Sequence, residues 1–284
     1  MARSHPMTTT MKSFLTRSVS AIVALALIIG LYVSLGLMGL KIAVGLIVVI
    51  GNWELTAILF QREKSQLIKT LFRIFTYAVF IASITSLSMG SIVYSLAVIG
   101  MIITVLLSSH KEGNLEHMAS VQAKSALGLF YMGLLPSFAF RLLDQAYGLY
   151  WFIFLLAVVF AGDTLAYVFG VLFGKNKVMP SVSPKKTWQG SVGGIIGSVT
   201  AGLICWLFLF PENSVGVFLL LGGVSGFVGQ FGDFFESLLK RVADVKDSGK
   251  IMPGHGGVLD RVDGVLFASP VVLGGVLILS HLLS

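Results

Sequence analysis

Long apolar runs separated by short charged segments constrain the fold of this chain more than any other feature. A helix that crosses a bilayer needs about 20 mainly apolar residues, and the sequence holds about nine such runs. They fall near residues 18–37, 40–60, 67–87, 91–107, 121–140, 148–173, 190–210, 214–236 and 264–282. Only 12% of the residues are charged, too few to cover a soluble globule. We therefore predict an all-α, polytopic integral membrane protein.

The basic residues predict how these spans are oriented. With nine spans and a cytoplasmic N-terminus, 18 of the 20 Lys and Arg residues fall on the inner side, and only Lys41 and Arg141 fall outside. Basic loops face the cytoplasm in most membrane proteins. We therefore expect a multi-pass protein of the cell (inner) membrane, with the N-terminus inside.

Composition also limits the classes of partner and site. The net charge of +7 is accounted for by orientation and by contact with anionic lipid, so no nucleic-acid partner is expected. The single cysteine, Cys205, lies in an apolar run and excludes a disulfide framework or a cysteine-rich zinc site.

The acidic residues are concentrated in one part of the chain. Six of the 13 carboxylates lie between residues 233 and 263. A solvated loop is the ordinary explanation of such a cluster. Against it, a stripe at spacings of three or four would lie along one face if the eighth span continued as a helix. The stripe consists of Asp233, Glu236, Ser237, Lys240, Asp244 and Asp247.

A second pair of acids follows the stripe. Asp260 and Asp263 are three residues apart and would share a helix face. Two acidic edges that face each other form a site of hard oxygen ligands, which suits Mg²⁺. Between them, glycines surround His255 in "PGHGGVLDRVDG" and would allow a ligand to approach the backbone.

Two further acids are predicted to lie at membrane depth. Asp163 falls within the sixth apolar run and Glu54 within the second. A buried, unpaired carboxylate is costly, so an intramembrane acid usually has a functional partner. We expect Asp163 to contribute to the site, whereas for Glu54 a helix interface and a functional role remain equally open.

A basic loop between the sixth and seventh runs has the chemistry of a phosphate site. It holds Ser183, Lys185, Lys186 and Thr187, and the next helix is predicted to begin near Gly190. Lysines, hydroxyls and a helix N-terminus together suit a triphosphate. A membrane anchor with Trp188 at the interface is the alternative. A Walker-type loop is absent.

The segment "SLLKRVADVKDSGKIMPGHGGVLDRVD", residues 237–263, resembles the signature of the phosphatidate cytidylyltransferases. The pattern of that family is filled here by Ser237, Lys240, Arg241, Lys246, Asp247, His255, Gly256, Gly257, Asp260, Arg261 and Asp263. Met252 replaces the usual isoleucine, leucine or phenylalanine. "SPKKTWQG" and "GDFFES" are also similar, so the likeness is strong over residues 160–264.

The resemblance implies an enzyme that makes CDP-diacylglycerol and pyrophosphate from CTP and phosphatidic acid with Mg²⁺; a second cation is left open. Asp233 and Asp260 would hold the principal ion, with Asp263 and Asp163 as further partners. Catalytic contacts to phosphate are assigned to Lys240, Arg241, Arg261 and His255. Substrate binding is assigned to Ser183, Lys185, Lys186, Thr187, Ser237, Asp244, Lys246, Asp247, Gly256 and Gly257.

The chain is accordingly divided into three predicted parts. Residues 1–17 form an N-terminal cytoplasmic segment, partly resembling an expression tag, and residues 18–147 hold the first transmembrane helices. Residues 148–284 form the catalytic transmembrane region, with its active site facing the cytoplasm. A CTP-dependent polyprenol or phytol kinase and a transporter are the alternative functions, and a homo-oligomer is left open.

Overall fold

The protein is a bundle of helices. A computed structural model describes residues 6–109, 114–254 and 256–283, and every regular element in these ranges is helical. In chain order the elements are α1 (Pro6–Leu35), α2 (Leu37–Leu59), α3 (Gln66–Thr85), α4 (Leu87–Ser109), α5 (Leu115–Gly128), a π-helix (Leu129–Leu134), α6 (Leu135–Leu142), α7 (Gly148–Phe173), α8 (Trp188–Leu209), α9 (Val215–Val242) and α10 (Leu259–Leu283).

The predicted all-α membrane fold is confirmed. Among the described residues, eight helical segments are long and apolar enough to cross a membrane, the continuous run Leu115–Leu142 counting as one. They match the second to ninth predicted spans. The first predicted span corresponds to α1. The apolar part of this helix, Ile22–Leu35, is shorter than each of the other eight segments. Gly36 separates α1 from α2 with a φ of 60°, which a glycine adopts without steric cost.

The bundle has two apolar cores that share α10. Helices α2 to α6 pack around buried side chains such as Phe72 and Met132. Helices α7 to α10 pack around Trp151, Phe154 and Phe218, and the rings of Trp151 and Phe218 stack at 5.4 Å. Because α10 contributes to both cores, it joins the two halves of the chain.

Small residues bring the helices of the second core very close together. A Cβ on Gly222 would lie 2.8 Å from the Ser198 carbonyl oxygen, and one on Gly226 would lie 2.1 Å from the Ser198 hydroxyl. That hydroxyl in turn donates to the Val158 carbonyl of α7 at 2.9 Å. Close helix approach through small residues is typical of membrane bundles. It places polar groups of α7, α8 and α9 within reach of one another.

The loops lie at the two ends of the bundle. Lys41 forms an ion pair with Asp144 at one end, where Arg141 also donates to the Ser83 carbonyl oxygen at 3.4 Å. The two cations predicted to lie outside therefore share one end, and the loops that follow α2, α7 and α9 lie at the other. Which end faces the cytoplasm stays a prediction.

Candidate active site

Asp233 on α9 meets the basic loop that connects α7 to α8. Lys186 donates to a carboxylate oxygen of Asp233 at 2.5 Å, and its ammonium group lies 4.5 Å from the centre of the Phe234 ring. Two turns further along α9, Arg241 donates to the Val182 carbonyl oxygen at 3.3 Å. The loop is thus docked along the last turns of α9, and Lys186 and Asp233, predicted separately, are neighbours.

The basic loop is shaped around the start of α8. The Thr187 hydroxyl accepts a hydrogen bond from the Gly190 amide at 3.1 Å and caps the helix, which satisfies one of its free N–H groups. The Gln189 side chain accepts from the Lys175 amide at 3.0 Å. Thr187 is buried, whereas Lys185 is exposed. The predicted helix N-terminus beside paired lysines is confirmed, although the Thr187 hydroxyl is already engaged as a cap.

A buried chain of charges links α9 to α10. Lys240 lies 2.5 Å from a carboxylate oxygen of Glu236, one turn earlier on α9, and 2.6 Å from Asp260 on α10. The side chains of Glu236 and Asp260 are only 2% and 7% exposed. Charges buried this deeply persist only when they are paired. Lys240 therefore serves two carboxylates, one of which, Glu236, was not among the predicted site residues.

Asp260 also organises the loop that precedes α10. Its second oxygen accepts from the Ser248 amide at 2.9 Å, from the Ser248 hydroxyl at 2.9 Å and from the Gly257 amide at 2.8 Å. With Lys240 on the other oxygen, both oxygens of Asp260 have protein partners. The carboxylate thereby fixes where the loop ends and α10 begins.

Glu54 reaches the same loop from α2. It lies 3.1 Å from the Ser248 hydroxyl and shares the single proton of that group with Asp260. It also accepts hydrogen bonds from the Val258 amide at 3.1 Å and the Leu259 amide at 2.9 Å. The last two are free N–H groups at the start of α10, where a negative charge is favoured by the helix dipole. Of the two roles left open for Glu54, the structure supports a structural one. Glu54 anchors the loop between α9 and α10, residues 243–258, to the first half of the chain.

The glycines of the signature leave room for these two acids. A Cβ on Gly249 would lie 2.2 Å from a Glu54 oxygen, and one on Gly256 would lie 2.5 Å from an Asp260 oxygen. Gly256 also has a φ of 83°, which other residues rarely adopt. These positions therefore need glycine for packing. Direct contact of Gly256 and Gly257 with substrate stays a prediction.

Gly257→Ala is expected to destabilise the protein. Its Cβ would lie 2.1 Å from the Ser248 hydroxyl and 2.4 Å from a Glu54 oxygen, an overpacking that costs about 1–3 kcal/mol. The melting temperature in detergent measures the effect. Gly45→Ala is the matched control, since nothing lies within 4 Å of a Cβ there, and it should leave the melting temperature unchanged or raise it. Equal melting of both variants would contradict this packing.

Asp163, Asp233 and Asp263 form the acidic part of the site. Helices α9 and α10 cross so closely that a Cβ on Gly232 would lie 2.3 Å from the Asp263 carbonyl oxygen. A Cβ on Gly264 would lie 3.3 Å from a carboxylate oxygen of Asp233. Asp163, exposed on α7, interacts electrostatically with Asp233 and Asp263. The crossing of α9 and α10 thus brings Asp233 and Asp263 together, and the role of these acids as one site stays a prediction.

Metal binding itself is a separate question. Within the described ranges, no three His, Cys, Asp or Glu side chains are grouped so that they could hold a metal ion as they stand. Asp233 and Asp260 are each paired with a lysine. The candidate ligands are nevertheless carboxylate oxygens, the kind that Mg²⁺ prefers, and one buried oxygen of Glu236 has no hydrogen-bond partner among the described residues. The donor chemistry fits the ion, and the assignment of ligands stays a prediction.

The predicted stripe on a continuing helix is wrong beyond Val242. Helix α9 ends there, and Asp244 has a φ of 54°, so the chain turns away. Asp244, Lys246 and Asp247 lie exposed on the following loop. Ser183 and Ser237 are half-buried and Arg261 is exposed. His255 lies outside the described residues.

Some residues of the site were not assigned from the sequence. Glu236 did carry a signal, because it follows Asp233 by three residues and precedes Lys240 by four. Ser248 carried none, since a serine in a polar loop is unremarkable in any sequence. Its importance comes from its contacts with Glu54 and Asp260.

Comparisons with known proteins agree with the resemblance of the signature. Residues 15–278 match the family model described as the Cytidylyltransferase family. A phosphatidate cytidylyltransferase of Staphylococcus saprophyticus is 39% identical over 146 residues, which are 51% of this chain and 55% of that protein. One of Brucella melitensis is 42% identical over 149 residues, 52% of this chain and 54% of that protein. The matches thus span about half the length of these relatives.

Proposed function

Because this chain belongs to the cytidylyltransferase family, we propose that it makes CDP-diacylglycerol and pyrophosphate from CTP and phosphatidic acid. The observation that carries the proposal is a pair of carboxylate–lysine contacts at one end of the bundle, Asp233 with Lys186 and Asp260 with Lys240. The names of the matched relatives supply the substrates.

The reaction requires the protein to position the two substrates and to compensate their negative charge. An oxygen of the lipid phosphate forms a bond to the α-phosphorus of CTP, while the bond from that phosphorus to the bridging oxygen of the β-phosphate breaks and pyrophosphate leaves. The lipid phosphate is already an anionic nucleophile, so a Ser-His-Asp arrangement is unnecessary. The obstacle is repulsion between anions, and cationic side chains lower it.

Mg²⁺ is part of the proposal. When bound, it would neutralise and align phosphate oxygens. Asp233 and Asp260 would hold it, with Asp263 and Asp163 as neighbouring acids, and a second cation is left open.

The two lysines would change partners during the reaction. In the structure, Lys186 and Lys240 compensate the charges of Asp233 and Asp260. A cation held by Asp233 and Asp260 would supply that compensation, and Lys186 and Lys240 could then contact phosphate oxygens without leaving a bare carboxylate behind. Lys185, Arg241 and Arg261 are exposed and would add further positive charge for the nucleotide.

The membrane setting suits a pair of substrates with opposite solubility. CTP is dissolved in water, whereas phosphatidic acid keeps its acyl chains in the bilayer. The site lies where α7, α8, α9 and α10 meet their polar loops, and Asp163 is accessible on α7. We propose that this end faces the cytoplasm at the inner membrane, so that nucleotide enters from the loops and lipid enters between helices.

Product analysis tests the proposal. Purified protein in detergent, given cytidine-labelled CTP, Mg²⁺ and phosphatidic acid, should release pyrophosphate and place the label in the lipid. Release of CDP with an unlabelled phosphorylated lipid from a polyprenol or phytol would favour the kinase instead. Neither product, together with substrate uptake into proteoliposomes, would favour a transporter. A reaction without phosphatidic acid is the control.

A further inference from the structure

Tyr131 brings a hydroxyl from the first half of the chain into the acidic region of the second half. Its side chain is fully buried, and its hydroxyl has no hydrogen-bond partner in the described part of the chain. A buried polar group without a partner is costly. Such a group is therefore retained only where something offsets that cost.

The backbone around Tyr131 is also unusual. The residue lies in the π-helix Leu129–Leu134, just before Pro136 in α6. Proline has no N–H and cannot complete the regular ladder of helix hydrogen bonds, which explains why the preceding turn widens. Short π-helical segments often occur at functional sites.

Aromatic contacts place Tyr131 between the two acid-bearing helices. Its ring lies 5.0 Å from that of Phe235 on α9 and 5.9 Å from that of Phe267 on α10. Phe235 precedes Glu236, and Phe267 follows Asp263 by one helical turn. The acids within electrostatic range of Tyr131 are Asp263, Glu236, Asp233 and Asp260.

Glu236 supplies the complementary unpartnered group. One of its oxygens is bound to Lys240, and the other is buried without a hydrogen-bond partner in the same described part of the chain. A carboxylate oxygen accepts, and a tyrosine hydroxyl donates. A donor and an acceptor that both lack partners thus occupy one buried region beside the Lys240–Asp260 pair.

We propose that Tyr131 is a positioning residue of this site, whose hydroxyl donates to Glu236 through one water. Glu236 in turn holds Lys240, and Lys240 contacts Asp260. The tyrosine would thereby fix the lysine that the reaction needs. The kinetic consequence rests on the proposed function, whereas the coupling between Tyr131 and Glu236 does not.

Tyr131→Phe keeps the ring and removes only the hydroxyl. We expect kcat to fall about 10–100-fold, the usual effect of losing a partner that orients a site residue, with a smaller change in the KM for CTP. Tyr94→Phe is the matched control, because that hydroxyl donates to the Ala126 carbonyl oxygen at 3.2 Å and lies outside the site. It should leave kcat unchanged. Wild-type kcat in Tyr131→Phe would overturn the proposal.

A double-mutant cycle with Glu236→Gln separates positioning from general packing. If Tyr131 acts through Glu236, the double variant should be no slower than Glu236→Gln alone, and the two shifts in melting temperature should be non-additive. Additive effects in both measurements would overturn the proposal. If the wild-type protein makes no CDP-diacylglycerol, the proposed function fails, and the melting-temperature cycle still decides whether the two residues are coupled.

Discussion

Asp233→Asn should lower cytidylyl transfer by about 1000-fold or more, which corresponds to about 4 kcal/mol of lost transition-state stabilisation. The substitution removes one negative charge at the crossing of α9 and α10 while it keeps the size of the side chain. It would weaken the proposed cation binding and also release Lys186, whose contact with Asp233 measures 2.5 Å. Initial rates at saturating CTP and several Mg²⁺ concentrations measure the loss.

A matched substitution at the other end of the bundle controls for the loss of an ion pair. Asp144→Asn removes the carboxylate that pairs with Lys41, far from the site, and should leave the rate near that of the wild type. The melting temperature of both variants shows that they are folded. If Asp233→Asn kept more than about a tenth of the wild-type rate, Asp233 could not be the ligand on which the reaction depends.

Glu54→Ala should cost about 3 kcal/mol or more of stability and most of the activity. The change leaves two donors, the Val258 and Leu259 amides, without their acceptor, whereas the Ser248 hydroxyl keeps Asp260. Each buried donor that loses its partner costs about 1–3 kcal/mol. Since the same loop leads into α10 and is hydrogen-bonded to Asp260 there, its displacement should also lower turnover. Unfolding in mixed detergent micelles and the initial rate measure the two effects.

Two further substitutions sharpen this prediction. Glu54→Gln keeps an acceptor oxygen but loses the charge, so its stability should lie between those of Glu54→Ala and the wild type. Glu212→Ala removes an exposed carboxylate from the loop between α8 and α9 and should change neither quantity. Wild-type stability in Glu54→Ala would show that the loop is held by other contacts.

The transmembrane helices could be predicted because the bilayer requires each spanning segment to be apolar by itself, whatever the rest of the chain does. A run of about 20 apolar residues is sufficient to indicate a spanning helix, and eight of the nine predicted spans correspond to helices that meet this length. The end of α9 at Val242 was not predictable from spacing. A polar stripe can continue in sequence after the helix that would align it has stopped.

Several residues of the candidate site could be predicted from the sequence, but their contacts could not. The separate signals of Asp233, Lys186 and Asp260 pointed to one charged region, and the structure brings these residues to one end of the bundle. Which lysine pairs with which carboxylate depends on how α9, α10 and the basic loop pack. The Asp233–Lys186 contact spans 47 residues and the Asp260–Lys240 contact spans 20.

The sequence by itself determined the helical membrane class and the family, and it predicted the acids and cations of the site, because hydropathy and motif spacing are local properties of the chain. Only the tertiary structure decided that Glu54 anchors the loop between α9 and α10 across 205 residues and that Tyr131 packs against the rings of Phe235 and Phe267 from a π-helix. The physical reason is burial. Helices from distant parts of the chain pack together, and this packing decides which polar groups are buried and which other groups can bind to them.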